Sequence, residues 1–542
     1  MNAFLLEFYH PVCLRFAEQL RVRLNVRPQL VTSSHLHEAQ VRKSFPEGLY
    51  LHGSDAKSGN WPADFPAVEH APFDAACEHI WRNWPHQMTD LFRRWDHSGD
   101  YTQLEMTLDF YQQLVAWNHL FKLLKPDFIC FWEPPHVPYT LILYALAAYH
   151  KVPVMLIEVC AGPFSLACND LSAGGSQWRQ ALRLASWECE AGFQVNPCGF
   201  HPENRAFIER ATNSSYDKGM PWWQSNMLSL KHNAFDSAFF KKLWRILKRS
   251  LKADFRHWRK RRTKEAPRPS LHGIYAHKEW QRPLRTSFRS GLAQTKFGLA
   301  EIRNHFQTIQ FGRGYQRYTT KKSPEETRYI LACLHFQPEM TSNPRGDIFL
   351  HQWLLINLLA ASVPENVEVW VKEHPVQFVS FGGASSFRNR AYYEMISRMP
   401  KTRLIPVEAN QFDLIDNSLA VATISGTVGL ESIARGKPAL VFGNVWYERC
   451  AGAWRVRDLE TCRAAVVGVL AGSPAKGVPF EVMLKELEVS AFRFGSEASL
   501  VGEGKDTTDE NIRGLVDQVA LLLDLPLASD PITVNLAEIL GE

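Results

Sequence analysis

The stretch from Ser418 to Gly443, SLAVATISGTVGLESIARGKPALVFG, restricts the possible folds of this chain more than any other. An apolar run, Leu419 to Ile424, ends in Ser425-Gly426-Thr427. It passes into Val428, Leu430, Ile433 and Ala434 at helical spacing, breaks at Gly436 and resumes as Pro438 to Phe442. The pattern predicts strand, tight turn, helix, strand, the repeating unit of a parallel α/β sheet. At such a turn, backbone N–H groups, two small hydroxyls and the positive end of a helix dipole can converge on an anion. Gly426 would let the backbone approach that anion, and Glu431, about one turn on, could accept hydrogen bonds from ribose hydroxyls. The competing reading is that Ser425 merely caps a helix and Glu431 faces solvent.

A second element supports the ligand reading. Val367 to Val371 (VEVWV) reads as a strand that delivers Lys372-Glu373-His374-Pro375 at its carboxyl end. Open α/β sheets bind ligands at that edge. A cation, a carboxylate and an imidazole on a turn stiffened by Pro375, together with the Ser425 to Thr427 turn, describe a place for a nucleoside monophosphate or diphosphate.

Length and composition bound the rest. A chain of 542 residues predicts two or more domains, and 45% hydrophobic with 22% charged residues is an ordinary globular composition. The ten cysteines include no C-x-x-C and no zinc-finger spacing, which fits a reducing cytoplasm. The N-terminus, MNAFLLEF, lacks the basic lead of a signal peptide. The longest apolar stretch, Thr140 to Cys160, is interrupted by His150-Lys151 and Pro153, so it reads as helix plus strand and not as a membrane span. Tryptophans concentrate in the first half, among them Trp81, Trp84 and Trp117, as core or as a platform for sugar faces.

In chain order, Ala3 to Phe8 and Gln29 to Ser33 read as strands around a helix from Pro11 to Arg23, and Phe45 to Pro72 reads as surface loops. Two helical segments follow, Phe73 to Trp95 and Leu104 to Leu124. Pro126 to Trp132 is then a buried-type strand ending in Glu133-Pro134-Pro135-His136, followed by a helix from Pro138 to His150 and a strand from Val154 to Ile157. This βαβ unit puts Glu133, His136 and Glu158 at strand carboxyl ends. Glu133 and His136 form a candidate acid/base pair for a sugar hydroxyl, or else a helix cap and a packing residue.

Phe239 to Lys264 combines an apolar stripe (Phe240, Leu243, Trp244, Leu247) with many Lys and Arg, and predicts a helix able to lie on an anionic membrane face or an anionic glycan, or else one packed on the N-terminal domain with its charges solvated. With a net charge of only +5 and no nucleic-acid reader motif, nucleic acid is not expected as a partner. The organisation expected is an N-terminal Rossmann-like acceptor domain (1–235), a basic helix and linker (236–322), a C-terminal Rossmann-like nucleotide-sugar domain (323–505), and a crossing helix with a tail (506–542).

The second domain opens with Arg328 to Leu334, a strand ending in His335-Phe336-Gln337-Pro338-Glu339, and alternates strand and helix to Phe442. The segments LHFQPEMTSNPRGD, VKEHPVQ and ISGTVGLESIARGKPALVFGNVWY resemble the bacterial capsule polysaccharide biosynthesis family, whose better-known members transfer 3-deoxy-manno-octulosonic acid (Kdo) from CMP-Kdo. The resemblance covers Arg328 to Arg449. It implies a GT-B fold, two Rossmann-like domains facing a central cleft. It also implies that His374 and Pro375, with Ser425, Gly426 and Thr427, surround the nucleotide of a CMP- or UDP-linked donor.

On this reading the chain is a glycosyltransferase acting on a glycan or glycolipid acceptor, in the cytoplasm or at the inner face of the membrane. His374 and Lys372 would offset leaving-group charge. Glu133 or His136 would serve as base, Glu339 as a catalytic carboxylate, and His335, Gln337 and Glu158 would orient the substrate. No D-x-D pair sits at a strand end, so no obligatory metal and no further cofactor is expected. The alternatives are a sugar nucleotide epimerase of the UDP-N-acetylglucosamine 2-epimerase type and a non-catalytic glycan-binding protein.

Overall fold

The computed structural model describes residues 1–168, 200–212, 293–490 and 509–525, apart from 10, 63–64, 67–70, 95–101, 161–164, 201, 338, 379–386 and 524. Outside these segments it describes only Trp244, which is helical and largely exposed, and Lys248. The basic helix and linker expected between 239 and 285 otherwise lie outside the described residues.

The first sheet is built from β1 (Asn2–Leu6), α1 (Pro11–Leu24), β2 (Arg27–Ser33), α2 (Glu38–Ser44), β3 (Leu49–His52), α3 (Gly53–Ser58), α4 (Ala75–Asn83), α5 (Pro85–Arg94), α6 (Gln103–Leu124), β4 (Phe128–Phe131), α7 (Pro138–His150), β5 (Val154–Val159) and β6 (Ser165–Cys168). Its strands run in the order β3-β2-β1-β4-β5-β6, all parallel except the β5–β6 pair. The apolar runs explain the parallel sheet, since each central strand must be covered on both faces. Phe4, Leu6, Ile129 and Phe131 face a core with α4 to α7, whereas Ala3, Leu5, Phe128 and Cys130 face α1.

The region expected to be loops contains β3 and α3. Leu49 to His52 is too short for its alternation to stand out between turn residues. Gly48 is required just before it, because a side chain there would meet the Pro28 carbonyl oxygen at 2.4 Å. The helix expected over Phe73 to Trp95 is two helices, broken at Trp84 and restarted on Pro85, as proline at a first helical position favours.

After α8 (Pro202–Thr212) and α9 (Ala293–Tyr318) comes the second sheet: β7 (Tyr329–Cys333), α10 (Trp353–Ser362), β8 (Glu368–Lys372), α11 (Arg390–Ser397), β9 (Thr402–Ile405), α12 (Gln411–Asn417), β10 (Ala420–Thr423), α13 (Thr427–Ala434), β11 (Ala439–Val441), β12 (Ala453–Arg455), α14 (Leu459–Leu470) and α15 (Phe480–Ser490). The order β12-β11-β10-β7-β8-β9, all parallel, places the reversal of strand order between β7 and β10. In such sheets that reversal opens a crevice beyond the carboxyl ends of the strands.

The final helix, α16 (Asp509–Leu522), returns to the first sheet. Its Ile512, Leu515, Val516 and Val519 join the core around α1, and Asp517 pairs with Arg23 at 3.0 Å. The two sheet units also meet directly, where the Gln87 side chain donates to Asp347 at 3.1 Å and Asn343 donates to the Gln87 carbonyl at 2.9 Å. Among the described residues, no helix is long and apolar enough to cross a membrane.

Candidate functional site

Both expected ligand turns lie at the carboxyl edge of the second sheet, one after β8 and one after β10. They are held by a residue whose role the sequence did not disclose. His335 follows β7 at the reversal of strand order, and its Nε2 accepts from the backbone N–H of Ile424 at 3.1 Å and of Ser425 at 3.4 Å. The Thr423 hydroxyl lies 2.9 Å from the same nitrogen. Burial keeps this imidazole neutral, with a pKa pulled down to about 3, as an acceptor role requires.

The structure therefore gives the Ser425 to Thr427 turn a different internal economy from the one expected. Ser425 donates its hydroxyl to the Thr341 carbonyl at 2.5 Å, and its N–H goes to His335. The Gly426 N–H goes to the Thr423 hydroxyl at 3.2 Å. Gly426 is needed because a side chain there would meet His335 Cε1 at 3.0 Å, so the glycine makes room for the pinning histidine. The exposed Thr427 heads the first turn of α13 itself.

His335 and Gln337, expected to orient substrate, hold the protein's own backbone. Gln337 accepts from Arg388 Nη1 at 2.5 Å and donates to the Leu350 carbonyl at 2.9 Å. Glu373 is likewise committed: Arg388 Nε lies 2.7 Å away, the Tyr393 hydroxyl donates to it at 2.9 Å, and so does the His374 N–H at 2.8 Å. Arg388 also donates to the His335 carbonyl at 3.2 Å and lies under the Tyr392 ring, 4.6 Å from its centroid. These contacts lock the Lys372 to Pro375 turn and the end of β7 into one rigid unit.

Lys372 is different. It is 3% exposed, yet its ammonium meets no carboxylate or hydrogen-bond acceptor among the described residues. Burial pulls its pKa down, opposed by the nearby Cys333 and Glu408. Cys333 pairs with Lys372 across the β7–β8 register and receives a hydrogen bond from Gln411 at 3.1 Å. The charges of Lys372 and Glu431 both act on that thiol. Burial raises the Glu431 carboxyl to about 7, against the pull of Arg210 and Arg435. His374 caps the short helical turn Pro375–Phe378 by accepting from the Val376 N–H at 3.2 Å, and burial holds its pKa near 3.

In the first sheet unit, Glu133 and His136 follow the carboxyl end of β4. His136 Nδ1 lies 2.8 Å from the Pro134 carbonyl, and its Nε2 lies 3.5 Å from Glu133 Oε2. Burial, and then the charge of Arg94, depress the imidazole to about 3. Arg94 and Arg345 act both on His136 and on Glu339, whose carboxyl is raised by burial. The charges of one guanidinium from each sheet unit thus reach both His136 and Glu339, and Arg94 Nη1 donates to the His136 carbonyl at 3.4 Å. Glu158 lies near the end of β5, opposite Leu166 of β6, and its side chain is outside the described residues.

Sequence reasoning passed over Glu7. It follows β1 at the strand-order reversal of the first sheet, in a left-handed conformation (φ 63°) that a non-glycine residue seldom adopts. Its carboxylate is 2% exposed, accepts from the Tyr139 hydroxyl and lies 3.7 Å from Lys57 Nζ. The signal would have been a charged residue closing an apolar strand, Leu5-Leu6-Glu7.

No curated protein matches the chain. Among solved structures it is similar to the S. aureus MnaA–UDP co-structure, at 10% identity over 98% of this chain and 99% of that one, with a TM-score of 0.23. It is also similar to the β-Kdo 2,4 transferase of Thermosulfurimonas dismutans KpsC, at 12% identity over 67% and 87%, with a TM-score of 0.21. A third is the Methanocaldococcus jannaschii UDP-GlcNAc 2-epimerase in complex with UDP-GlcNAc and UDP, at 9% identity over 90% and 99%, with a TM-score of 0.20. Residues 293–465, which carry the whole second sheet and the turns after β8 and β10, match the family described as capsule polysaccharide biosynthesis protein.

Proposed function

We propose that the chain is a GT-B-type glycosyltransferase that moves a sugar, Kdo from CMP-Kdo being the first donor to test, onto a capsule or surface-glycan acceptor. The observation that carries this reading is the buried ammonium of Lys372 at the carboxyl edge of the second sheet, which has no hydrogen-bond acceptor or ion pair among the described residues. An unpaired buried cation is costly, and an arriving phosphate would offset that cost. The donor phosphate lies between Lys372 and the first turn of α13, where the N–H groups and dipole favour an anion. Glu431 accepts from the ribose hydroxyls. His374, on the same rigid turn as Lys372, faces the departing nucleotide.

Chemistry takes place where the two sheet units meet. His136, neutral and with its Nδ1 proton directed at Pro134, keeps Nε2 as the acceptor for the incoming hydroxyl's proton, and Glu133 beside it stabilises the imidazolium that forms. Glu339 faces the same gap with its carboxyl raised toward the protonated form. No metal is required for leaving-group departure in this scheme, since Lys372 and the α13 terminus supply the positive field. We place the enzyme in the cytoplasm, at the inner membrane face if the basic segment 239–264 binds anionic lipid.

The test is calorimetry with CMP and UDP on the wild type and on Lys372→Met and His374→Ala, followed by turnover of CMP-Kdo and UDP-sugars with and without a chelator. Nucleotide binding lost in Lys372→Met, with chelator-resistant transfer, is the expected result. Conversion of UDP-N-acetylglucosamine to its epimer without acceptor would replace this reading with an epimerase. Absence of any nucleotide binding would leave only an architectural role.

A further inference from the structure

A separate groove of about 770 Å³ opens between the two sheet units. Its walls differ in character. The first unit contributes an apolar side made of Trp84 on the α4–α5 break, Tyr144 and Ala147 of α7, and Val152. The Trp84 and Tyr144 rings meet edge to face at 6.1 Å, which fixes an aromatic corner. The second unit contributes guanidinium groups, Arg345 after β7 with Arg455 and Arg457 at the end of β12, and the rim adds Lys151.

The cationic wall is rigid. Arg457 donates to the carbonyls of Phe442 at 2.9 Å and Gly443 at 3.1 Å, and to Asn444 Oδ1 at 3.1 Å. Gly443 can be no other residue, because a side chain there would meet Ile424 Cγ2 at 2.6 Å and the Arg345 carbonyl at 2.8 Å. Two carboxylates are close. Glu448 lies 3.6 Å from Arg455 and 3.8 Å from Arg457, and Asp347 is turned to Gln87. Against them stand four cations of the lining, Lys151, Arg345, Arg455 and Arg457, and burial and then the charge of Arg455 pull Arg457 down to about 10. An added anion would relieve that crowding.

We propose that this groove binds an anionic saccharide segment, stacking sugar faces on the Trp84–Tyr144 corner and presenting carboxylate or phosphate groups to Arg455 and Arg457. Planar forked guanidinium groups suit either anion, and aromatic faces suit the apolar faces of pyranose rings. Arg345 lines the groove and also acts on His136 and Glu339, so the groove opens beside the reaction centre assigned above. It therefore takes the acceptor chain of the transfer already proposed, and in that respect it rests on that reading.

Calorimetry on the full chain separates the possibilities, with trigalacturonate, mannose 6-phosphate, maltotriose and inorganic phosphate as probes. Trigalacturonate or mannose 6-phosphate should bind, maltotriose and phosphate should bind at least tenfold more weakly, and whichever anionic sugar binds tighter identifies the charged group. Arg455→Glu, at a half-exposed position, should weaken the anionic sugar at least tenfold while leaving CMP or UDP affinity unchanged. Trp84→Ala should weaken it as well. The proposal is overturned if neither anionic sugar binds the wild type, if inorganic phosphate or maltotriose binds as well as they do, or if Arg455→Glu binds undiminished. Loss of nucleotide binding with sugar binding intact would overturn the transferase reading and leave the groove standing.

Discussion

Glu373 and Arg388 form an ion pair with side-chain exposures of 0% and 1%, and both carboxylate oxygens and both terminal guanidinium nitrogens have further partners in Tyr393, Gln337 and the backbone. Such a pair adds little net stability when whole, yet removing one partner strands a buried charge at a cost of about 3–5 kcal/mol. Arg388→Ala should therefore lower the unfolding free energy, read from urea denaturation, by an amount in that range, and Glu373→Gln by less, because the amide can still accept from Tyr393; a loss below about 1 kcal/mol in Arg388→Ala would refute the structural role. Glu431 poses the opposite case. Its carboxyl is raised to about 7 by burial, and ribose hydroxyls need the ionised form as acceptor. Donor affinity should therefore weaken up to about tenfold from pH 8 to pH 6 as the ionised fraction falls. Titration with a nucleotide sugar, whose phosphodiester does not change charge in this range, should show the trend, and Glu431→Gln should abolish it.

At the scale of elements, α16 carries the clearest consequence. Leu515 is fully buried among Val12, Phe16 and Leu20 of α1, far along the sequence from its partners. Leu515→Ala should cost about 2–5 kcal/mol, read as a drop in melting temperature, and a neutral result would mean that the helix is dispensable to the first sheet. Elements of this kind decide what the sequence disclosed. The strands ending in Lys372-Glu373-His374-Pro375 and Ser425-Gly426-Thr427 were legible because unbroken apolar runs flanked by turn residues have few other solutions. β3 and β12 were not, since Leu49 to His52 and Ala453 to Arg455 are too short for any period to register. The turn chemistry was legible only in part. His335 reaches across the strand-order reversal to residues some ninety positions later, and Glu7 draws its character from Tyr139 and Lys57. Periodicity reports on neighbours along one strand and is silent about partners on another.

For the whole molecule, the buried titrating groups set a distinctive response to acid. His136, His335 and His374 stay neutral in the fold to about pH 3, with burial as the first cause in each. The unfolded chain protonates them near pH 6.5, so between these values it binds three more protons and acidification destabilises the fold. Asp90, raised to about 6, and Glu431, raised to about 7, act in the other direction, together with the raised Glu339. The folded chain keeps protons on these carboxyls that the unfolded chain releases above about pH 4, so their contribution grows as pH falls through that window. From pH 6.5 to about 4.5 the two sets oppose each other. Below about pH 4 these raised carboxyls are protonated in both states and, of the two sets, only the histidine effect remains, at about 1.4 kcal/mol per group per pH unit, or about 4 kcal/mol per pH unit for the three. Asp74, lowered to about 2 chiefly by its hydrogen bonds from Lys122 and the Cys77 backbone, adds to the loss. Calorimetric melting temperatures should thus stay nearly level from pH 6.5 to 4.5 and then fall steeply. A steady decline beginning at pH 6.5 would show that the buried carboxyls are already ionised in the fold, and with them the proposed proton-bearing state of Glu339 would be lost.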